Sequence, residues 1–521
     1  MKRNQTILAA IAFGVFIAAD DLTVVSTMLR QIIFDLEIPM PNGLDQASWI
    51  VNAYLIAYVA IMPFIGRLSD IWGRRYVFVG ALGLFLAGSI WVPLAGTFHT
   101  FLAARVLTAV GGGAMVPVAM AIIGDIYKQE ERGTALGILG AIDTAGWVWG
   151  PLYGALLVRF LSWKWQFYLN IPLSIIGIAL AWWALDSLPR PKERPRIDWL
   201  GAGILTTGLV YLNIALLSGE DVQAAGTFQS LGSSTQRDSL GYYLIGFTAI
   251  IFFGFLQNEL KKRQDVKALM RKARAQGRRR VGISPPPLID MALFANLNFS
   301  LATAVNFLVG SVLIIAMVNV PLLINVLEVN LETAALRSGI LLSGMTASMA
   351  ITAYVGGRLT AHWSHRPIII LGLLFTAIGF GMMGLTWAPP PGTILMAGQL
   401  IILGLGFGLV IAPIGTAVIN TAPHPQRGIA ASLAIVFRLM GMSVGLSALT
   451  GWGLQRFNLL RTQVQLPNLP MTDPAYQQAL INGLTNVTAR VLAETFLISS
   501  GITAVAILIT IWLKPDIPKQ N

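Results

Sequence analysis

The chain has 521 residues, of which 55% are hydrophobic and only 12% charged, and its mean hydropathy is +0.69. That composition builds a core against lipid and excludes an ordinary soluble domain, while the length of the apolar runs excludes a barrel of short alternating strands. The formal net charge is +12, but its main source is one stretch, "KKRQDVKALMRKARAQGRRR" at 261–280, beside a membrane exit. Such a stretch reads as a face for anionic lipid headgroups and not as a nucleic-acid site.

The apolar runs predict fourteen helical spans, at about 7–29, 47–66, 77–96, 101–124, 134–158, 168–186, 199–217, 241–260, 297–327, 338–357, 367–387, 394–419, 430–454 and 491–513. An even number leaves both termini on one side. Loops and termini on that side carry 26 Lys/Arg and the opposite loops 8, so both termini are expected to be cytoplasmic. No small-residue cleavage site follows the opening "MKRNQTILAAIAFG", so the first helix is retained as a span.

The first span carries two acids inside "FGVFIAADDLTVVSTML" at 13–29. Asp21 falls near mid-membrane. Asp20 lies about 100° around the helix and either faces a partner on a neighbouring helix or shares a proton with Asp21. The second span offers Tyr54 and Tyr58 to a cavity and ends in "GRLSDIWGRR" at 66–75. Gly66 lets two helices approach there, and Asp70 either accepts from a neighbouring helix start or pairs with a base. Arg67, Gly73, Arg74 and Arg75 complete the loop, which would form its contacts in one conformation and break them in another.

Arg105 lies within the fourth span, ahead of Gly111, Gly112 and Gly113; without a preceding strand or a Lys-Ser/Thr ending these glycines are no nucleotide loop. The fifth span holds Asp143, then Gly146, Gly150, Pro151 and Gly154, a seam of small residues at which a neighbour packs closely and the proline bends the helix. Trp147 and Trp149 beside it, with Asn306 and Phe307 on the ninth span, are further cavity candidates. Arg438 lies in the thirteenth span and Glu494 near the start of the last. Intramembrane charges are costly unless paired, solvated or neutralised, so Asp20, Asp21, Arg105, Asp143, Arg438 and Glu494 form the candidate proton-coupling set.

The chain repeats itself. "GRLSDIWGRR" at 66–75 matches "GRLTAHWSHR" at 357–366, and "ERGTALGILGAIDTAGWVWG" at 131–150 faces "QRGIAASLAIVFRLMGMSVG" at 426–445. Both copies follow equivalent spans on one side, so the repeat is parallel. It divides the chain into a six-helix bundle at 1–186, a linker with two extra spans at 187–289 and a second six-helix bundle at 290–521. In the second copy Ala361 replaces Asp70 and Ser364 replaces Gly73, so a weaker or differently paired latch is expected. Asp143 and Arg438 are equivalent positions, which makes a pair across the cavity plausible. Two parallel halves suit alternating access.

No cysteine is present, and His99, His362, His365 and His424 make no metal-binding pattern. Neither a metal nor another cofactor is expected, and no catalytic constellation marks an enzyme. An outer extension is expected at 451–490, where amphipathic stretches flank the break "PNLPMTDP". The stretch is either an ordinary ordered outer loop or a protruding hairpin, and a hairpin beside a lateral opening would help a lipid pass toward a periplasmic acceptor.

"DLTVV" at 21–25, "GRLSDIWGRR", "RVLTAVGGGA" at 105–114, "GWVWGPLYG" at 146–154 and "WKWQFYLNIP" at 163–172 stand in an order that resembles the major facilitator superfamily, in its fourteen-helix drug:proton antiporter branch. The opening and "ASWIVNAYLIAYVAIMPFIGRLSD" are similar to that branch's mycobacterial triacylglyceride exporters. The resemblance implies an all-α fold, a proton-driven exporter in a bacterial plasma membrane and a functional monomer. It implies a coupling acid at Asp21, a relay or structural role for Arg105, a gate at 66–75 and an antiporter motif at 146–154. Lipid or another bulky lipophile is the substrate it favours, with lipophilic cationic drugs as the alternative.

Overall fold

The computed structural model describes residues 2–37, 44–188, 198–217, 239–275, 287–328, 331–464, 470 and 473–514. Among these the fold is all-α. Its long helices are α1 (Lys2–Asp35), α2 (Leu44–Trp72), α3 (Arg74–Trp91), α4 (Phe98–Ile126), α5 (Gln129–Phe160), α6 (Lys164–Ala184) and α7 (Trp199–Leu217). They continue as α8 (Ser239–Ala275), α9 (Leu297–Leu327), α10 (Leu331–Leu359), α11 (His365–Thr386), α12 (Thr393–Thr421), α13 (Arg427–Arg461) and α14 (Pro474–Ile511). A single turn at Ala292–Ala295 precedes α9.

By length and composition, 11 of these helices can cross a membrane, and α7 contributes a shorter apolar segment. Outside that set, α1 and α5 carry the buried acids Asp20, Asp21 and Asp143. With backbone hydrogen bonds closed within each helix, a chain this apolar needs no water at mid-depth.

Packing follows the repeat. α1 lies against α4, α5 and α6, and α9 lies against α12, α13 and α14; α3 contacts α4 and α6, and α11 contacts α12 and α14. The two series meet where α2 packs on α13 and α5 on α10. The inserted α7 and α8 pair with each other, and α7 rests on both α2 and α13. Apolar side chains fill the interior, with a separate cluster around Val25, Ile50, Phe101, Trp163 and Phe167 at the end remote from the N-terminus.

The last two long helices extend well beyond the spans expected at 430–454 and 491–513. α13 has 35 residues and α14 has 38, each more than about 50 Å at 1.5 Å per residue against a hydrocarbon layer of about 30 Å. Buried Phe457, Leu460 and Val491, flanked by Leu484 and Val487, join the surplus lengths. Gly483 sits so close to Val464 that a side chain there would collide. These contacts give the joined lengths a small apolar core, while 467–469, 471 and 472 of the break lie outside the described residues.

Candidate functional site

Deep in the first series, Arg105 Nη1 of α4 meets Asp21 Oδ2 of α1 at 2.7 Å, with side chains 1% and 0% exposed. Asn170 Nδ2 of α6 donates to the other Asp21 oxygen at 3.3 Å. The guanidinium also lies 4.2 Å from the centre of the Tyr54 ring, which stacks on Tyr58. An aromatic face supplements the carboxylate in holding a desolvated cation. Asp20 takes the first of its two alternatives: Gln166 Nε2 donates to Asp20 Oδ2 at 2.9 Å. The two neighbouring acids thus turn to separate amides one helical turn apart on α6.

A second pair crosses between the series. Arg438 Nη2 of α13 lies 3.7 Å from Asp143 Oδ2 of α5, and both line a cavity with Val116, Met120, Asn306 and Ile411. Asn306 also donates from Nδ2 to the Ala434 carbonyl at 2.6 Å, tying α9 to α13. The repeat register brings this acid and base together.

At the end of the bundle where the N-terminus lies, the loop at 66–75 closes on α13. Asp70 Oδ1 and Oδ2 accept the backbone N–H groups of Gly428 and Ile429 at 3.0 and 3.3 Å, capping α13 from another helix. Arg74 Nη2 holds Asp70 Oδ1 at 2.5 Å, and its Nε reaches Asp125 Oδ2 of α4 at 3.0 Å. Arg75 pairs with Asp186 and lies 4.1 Å over the Trp182 ring. A side chain on Gly66 would run into Ser432 and the Gly428 carbonyl. Gly73 has φ 99°, a left-handed conformation that disfavours side chains. Ser364, its counterpart, has φ −60°, so the second copy has no such need.

That second copy keeps the close approach and loses the acids. Gly133 and Gly137 of α5 touch Gly357 of α10, and a Cβ on Gly137 would lie 2.7 Å from the Ala353 carbonyl oxygen. Ala361 and Asn420 stand where the first copy has Asp70 and Asp125. Arginines still reach across: Arg427 Nη1 donates to the Gly124 carbonyl at 2.6 Å and lies 3.5 Å from Asp125, while Arg132 hydrogen-bonds Asn420.

Other expected site residues fall elsewhere. Glu494 joins neither central pair: Arg456 bridges it at 2.7 and 3.2 Å, and Arg490 approaches at 3.4 Å. α14 begins at Pro474, ahead of the span expected at 491–513. Trp149 is 53% exposed and stacks on Tyr153, Trp147 is half-buried, and neither they nor Phe307 line the cavity around Asp143. Gly146 packs on α1, where a Cβ would lie 2.7 Å from Ala19 Cβ, and Gly150 and Gly154 are buried. The side chains of Pro151 and Thr23 lie outside the described residues.

Sequence reasoning passed over Gln166, Asn170, Asp125, Asn420, Arg132 and Arg427. Gln166 and Asn170 stood in a quoted motif at four-residue spacing, one helix face, and the two arginines were paired by the repeat itself. Among the described residues no group of three metal-ligating side chains occurs.

Long apolar helices around buried ion pairs, with a duplicated loop at one end, define a multi-pass membrane protein. Residues 11–446 match the Major Facilitator Superfamily, and the chain belongs to it; it is accordingly a secondary transporter and not an enzyme. A triacylglyceride transporter of Mycobacterium tuberculosis strain H37Rv is 31% identical over 91% of this chain and 89% of its own length. One from Mycobacteroides abscessus is 30% identical over 91% and 90%. Among solved structures, the human organic anion transporter MFSD10 aligns with a TM-score of 0.60 at 13% identity over 97% of this chain and 99% of that one. The proton:xylose symporter XylE aligns at 0.60 and 13% over 98% and 96%. Likeness at that level establishes the fold alone.

Proposed function

We propose that this chain is a proton-coupled exporter of triacylglyceride-like lipids or other bulky lipophiles, working by alternating access in a bacterial plasma membrane. The observation that carries the substrate class is the full-length similarity to transporters named for triacylglyceride. The repeated packing supports two six-helix bundles, 1–186 and 290–521, around an insert at 187–289; the apolar runs support fourteen spans, and the Lys/Arg excess of one set of loops supports cytoplasmic termini.

In this reading, proton arrival at Asp21 weakens its hold on Arg105, and the cross-series pair of Asp143 and Arg438 re-forms or parts as the bundles rock. The loop at 66–75 is the gate on the cytoplasmic side. The joined extensions of α13 and α14 give an apolar guest a surface to follow toward an acceptor outside the membrane, since each methylene exposed to water costs about 0.8 kcal/mol. The working unit is a monomer.

The alternative is multidrug:proton antiport of lipophilic cations, favoured by Asp143 in the cavity wall. Reconstitution into proteoliposomes with an imposed pH gradient, run in parallel with a fluorescent triacylglyceride and a lipophilic cation, separates the two. Lipid movement that stops with a protonophore is the expected result. Cation export without lipid movement would move the assignment to drug antiport, and transport indifferent to both pH gradient and membrane potential would remove proton coupling.

A further inference from the structure

The inserted helices carry buried charges of their own. Glu259 of α8 is fully buried, and Asp198, the residue just ahead of α7, is 4% exposed. Asp198 Oδ1 accepts the backbone N–H of Gly201 at 2.8 Å and pairs with Lys262 Nζ. Glu259 Oε2 accepts the backbone N–H of Ile289 at 3.1 Å, and Asn258 Nδ2 lies 3.5 Å from Oε1.

The other two oxygens converge. A Cβ on Gly201 would touch both Asp198 Oδ2 and Glu259 Oε1, the latter at 2.7 Å, so the two carboxyl groups approach one another beside that glycine. Among the described residues no group donates to Asp198 Oδ2, and the charges facing the pair do not balance: Lys262 offsets one carboxylate, and Arg263 is occupied with Asp290 at 3.6 Å. From α2, the neighbour of α7, Phe64 meets Trp199 and the Ala60 carbonyl accepts from the Thr206 hydroxyl at 3.3 Å. Two fully ionised carboxylates would leave one buried negative charge uncompensated, an arrangement proteins avoid.

We propose that Glu259 and Asp198 hold one proton between them, a proton-binding site on the inserted helix pair separate from Asp21 and Asp143. The proton resides on Glu259 Oε1 and is donated to Asp198 Oδ2, leaving Glu259 Oε2 to hold the Ile289 amide. Residues 287–296 lead directly into α9, while α7 rests on both α2 and α13. Occupancy by the proton therefore sets how firmly the insert grips the start of the second series. While the proton is held the clasp is shut; once it is lost, the two carboxylates oppose each other and Ile289 is released. This site rests on its own geometry and stands whichever substrate is carried.

The test uses the full chain in nanodiscs. The infrared band of a protonated carboxyl is expected in the wild type and absent in both Glu259→Gln and Asp198→Asn, since either amide supplies the donor that the proton otherwise provides. Hydrogen exchange gives the second readout. Protection of the Ile289 segment, corrected for intrinsic rate, should fall by about tenfold or more from mildly acidic to mildly alkaline buffer in the wild type and stay level in Glu259→Gln. An unchanged band in both variants overturns the proposal, as does protection that follows sodium concentration at constant pH, which would put a cation where the proton is placed.

Discussion

Asp70 of α2 caps the first turn of α13 at Gly428, a contact spanning 358 residues of sequence at 3.0 Å. A carboxylate at a helix N-terminus is stabilised by the free N–H groups and the helix dipole. Asp70→Ala is therefore expected to weaken the closed end by about 1 to 2 kcal/mol, roughly a tenfold shift toward opening. With no native cysteine, a single Ser432→Cys reports it: that buried position should react with a thiol reagent about tenfold faster once Asp70 is removed. Equal rates would show that the contact does not hold the end shut.

Asp21→Asn is expected to abolish pH-driven transport while the protein remains folded, because the amide keeps shape and the contact with Arg105 but cannot titrate. Arg105→Ala is the harsher change. It leaves Asp21 buried without its cation, a defect of about 3 to 5 kcal/mol, and should appear as lost thermal stability. Wild-type coupling in purified Asp21→Asn across several pH values would remove this residue from the coupling mechanism.

For Asp143 and Arg438 the informative measurement is a double-mutant cycle. Asp143→Asn, Arg438→Gln and their combination should give a coupling energy of about 1 to 3 kcal/mol, with the double variant less impaired than the single effects sum to. Additive losses would mean that the 3.7 Å approach carries no energy between the two series.

Glu494→Gln should leave the pH dependence of transport unchanged, since its carboxylate is engaged by Arg456 in the extension and not by the cavity. Replacing residues 460–480 with a short linker is expected to do the reverse, leaving the buried charge pairs intact while lipid transport falls. A shifted pH profile in Glu494→Gln would return this residue to the coupling set.

Gly73→Ala places a side chain where φ is 99° and should cost about 1 to 2 kcal/mol, read as a lower melting temperature. The same test at Ser364, replaced by Ala, should be nearly silent.

The sequence announced the helices through apolar length and the duplication through two loops at nearly one offset, and both features depend on local composition. Asp70 was legible because an acid in a loop of glycines and arginines has few purposes. Gln166, Asn170 and Asp125 were not, because their roles arise from which helix faces which, and an amide on an apolar helix looks alike whether or not an aspartate meets it. The Arg456 partner of Glu494 was hidden for a related reason: the two stand on different helices, and the apolar runs do not show which faces meet. Asp198 and Glu259 escaped notice because 61 residues separate them and neither belongs to the repeat.

The duplicated loop is not duplicated in strength. Between α2, α4 and α13 the closed end is fastened by Asp70, Arg74, Asp125 and Arg427, contacts of fixed geometry that hold until they break. Between α5 and α10, glycine lies on glycine, and no ion pair is described between those helices. Smooth backbone surfaces can rotate on each other without first losing a bond. The two copies of one segment thus make unlike fittings, ion pairs on one edge and bare backbone contact on the other, as a bolt differs from a hinge.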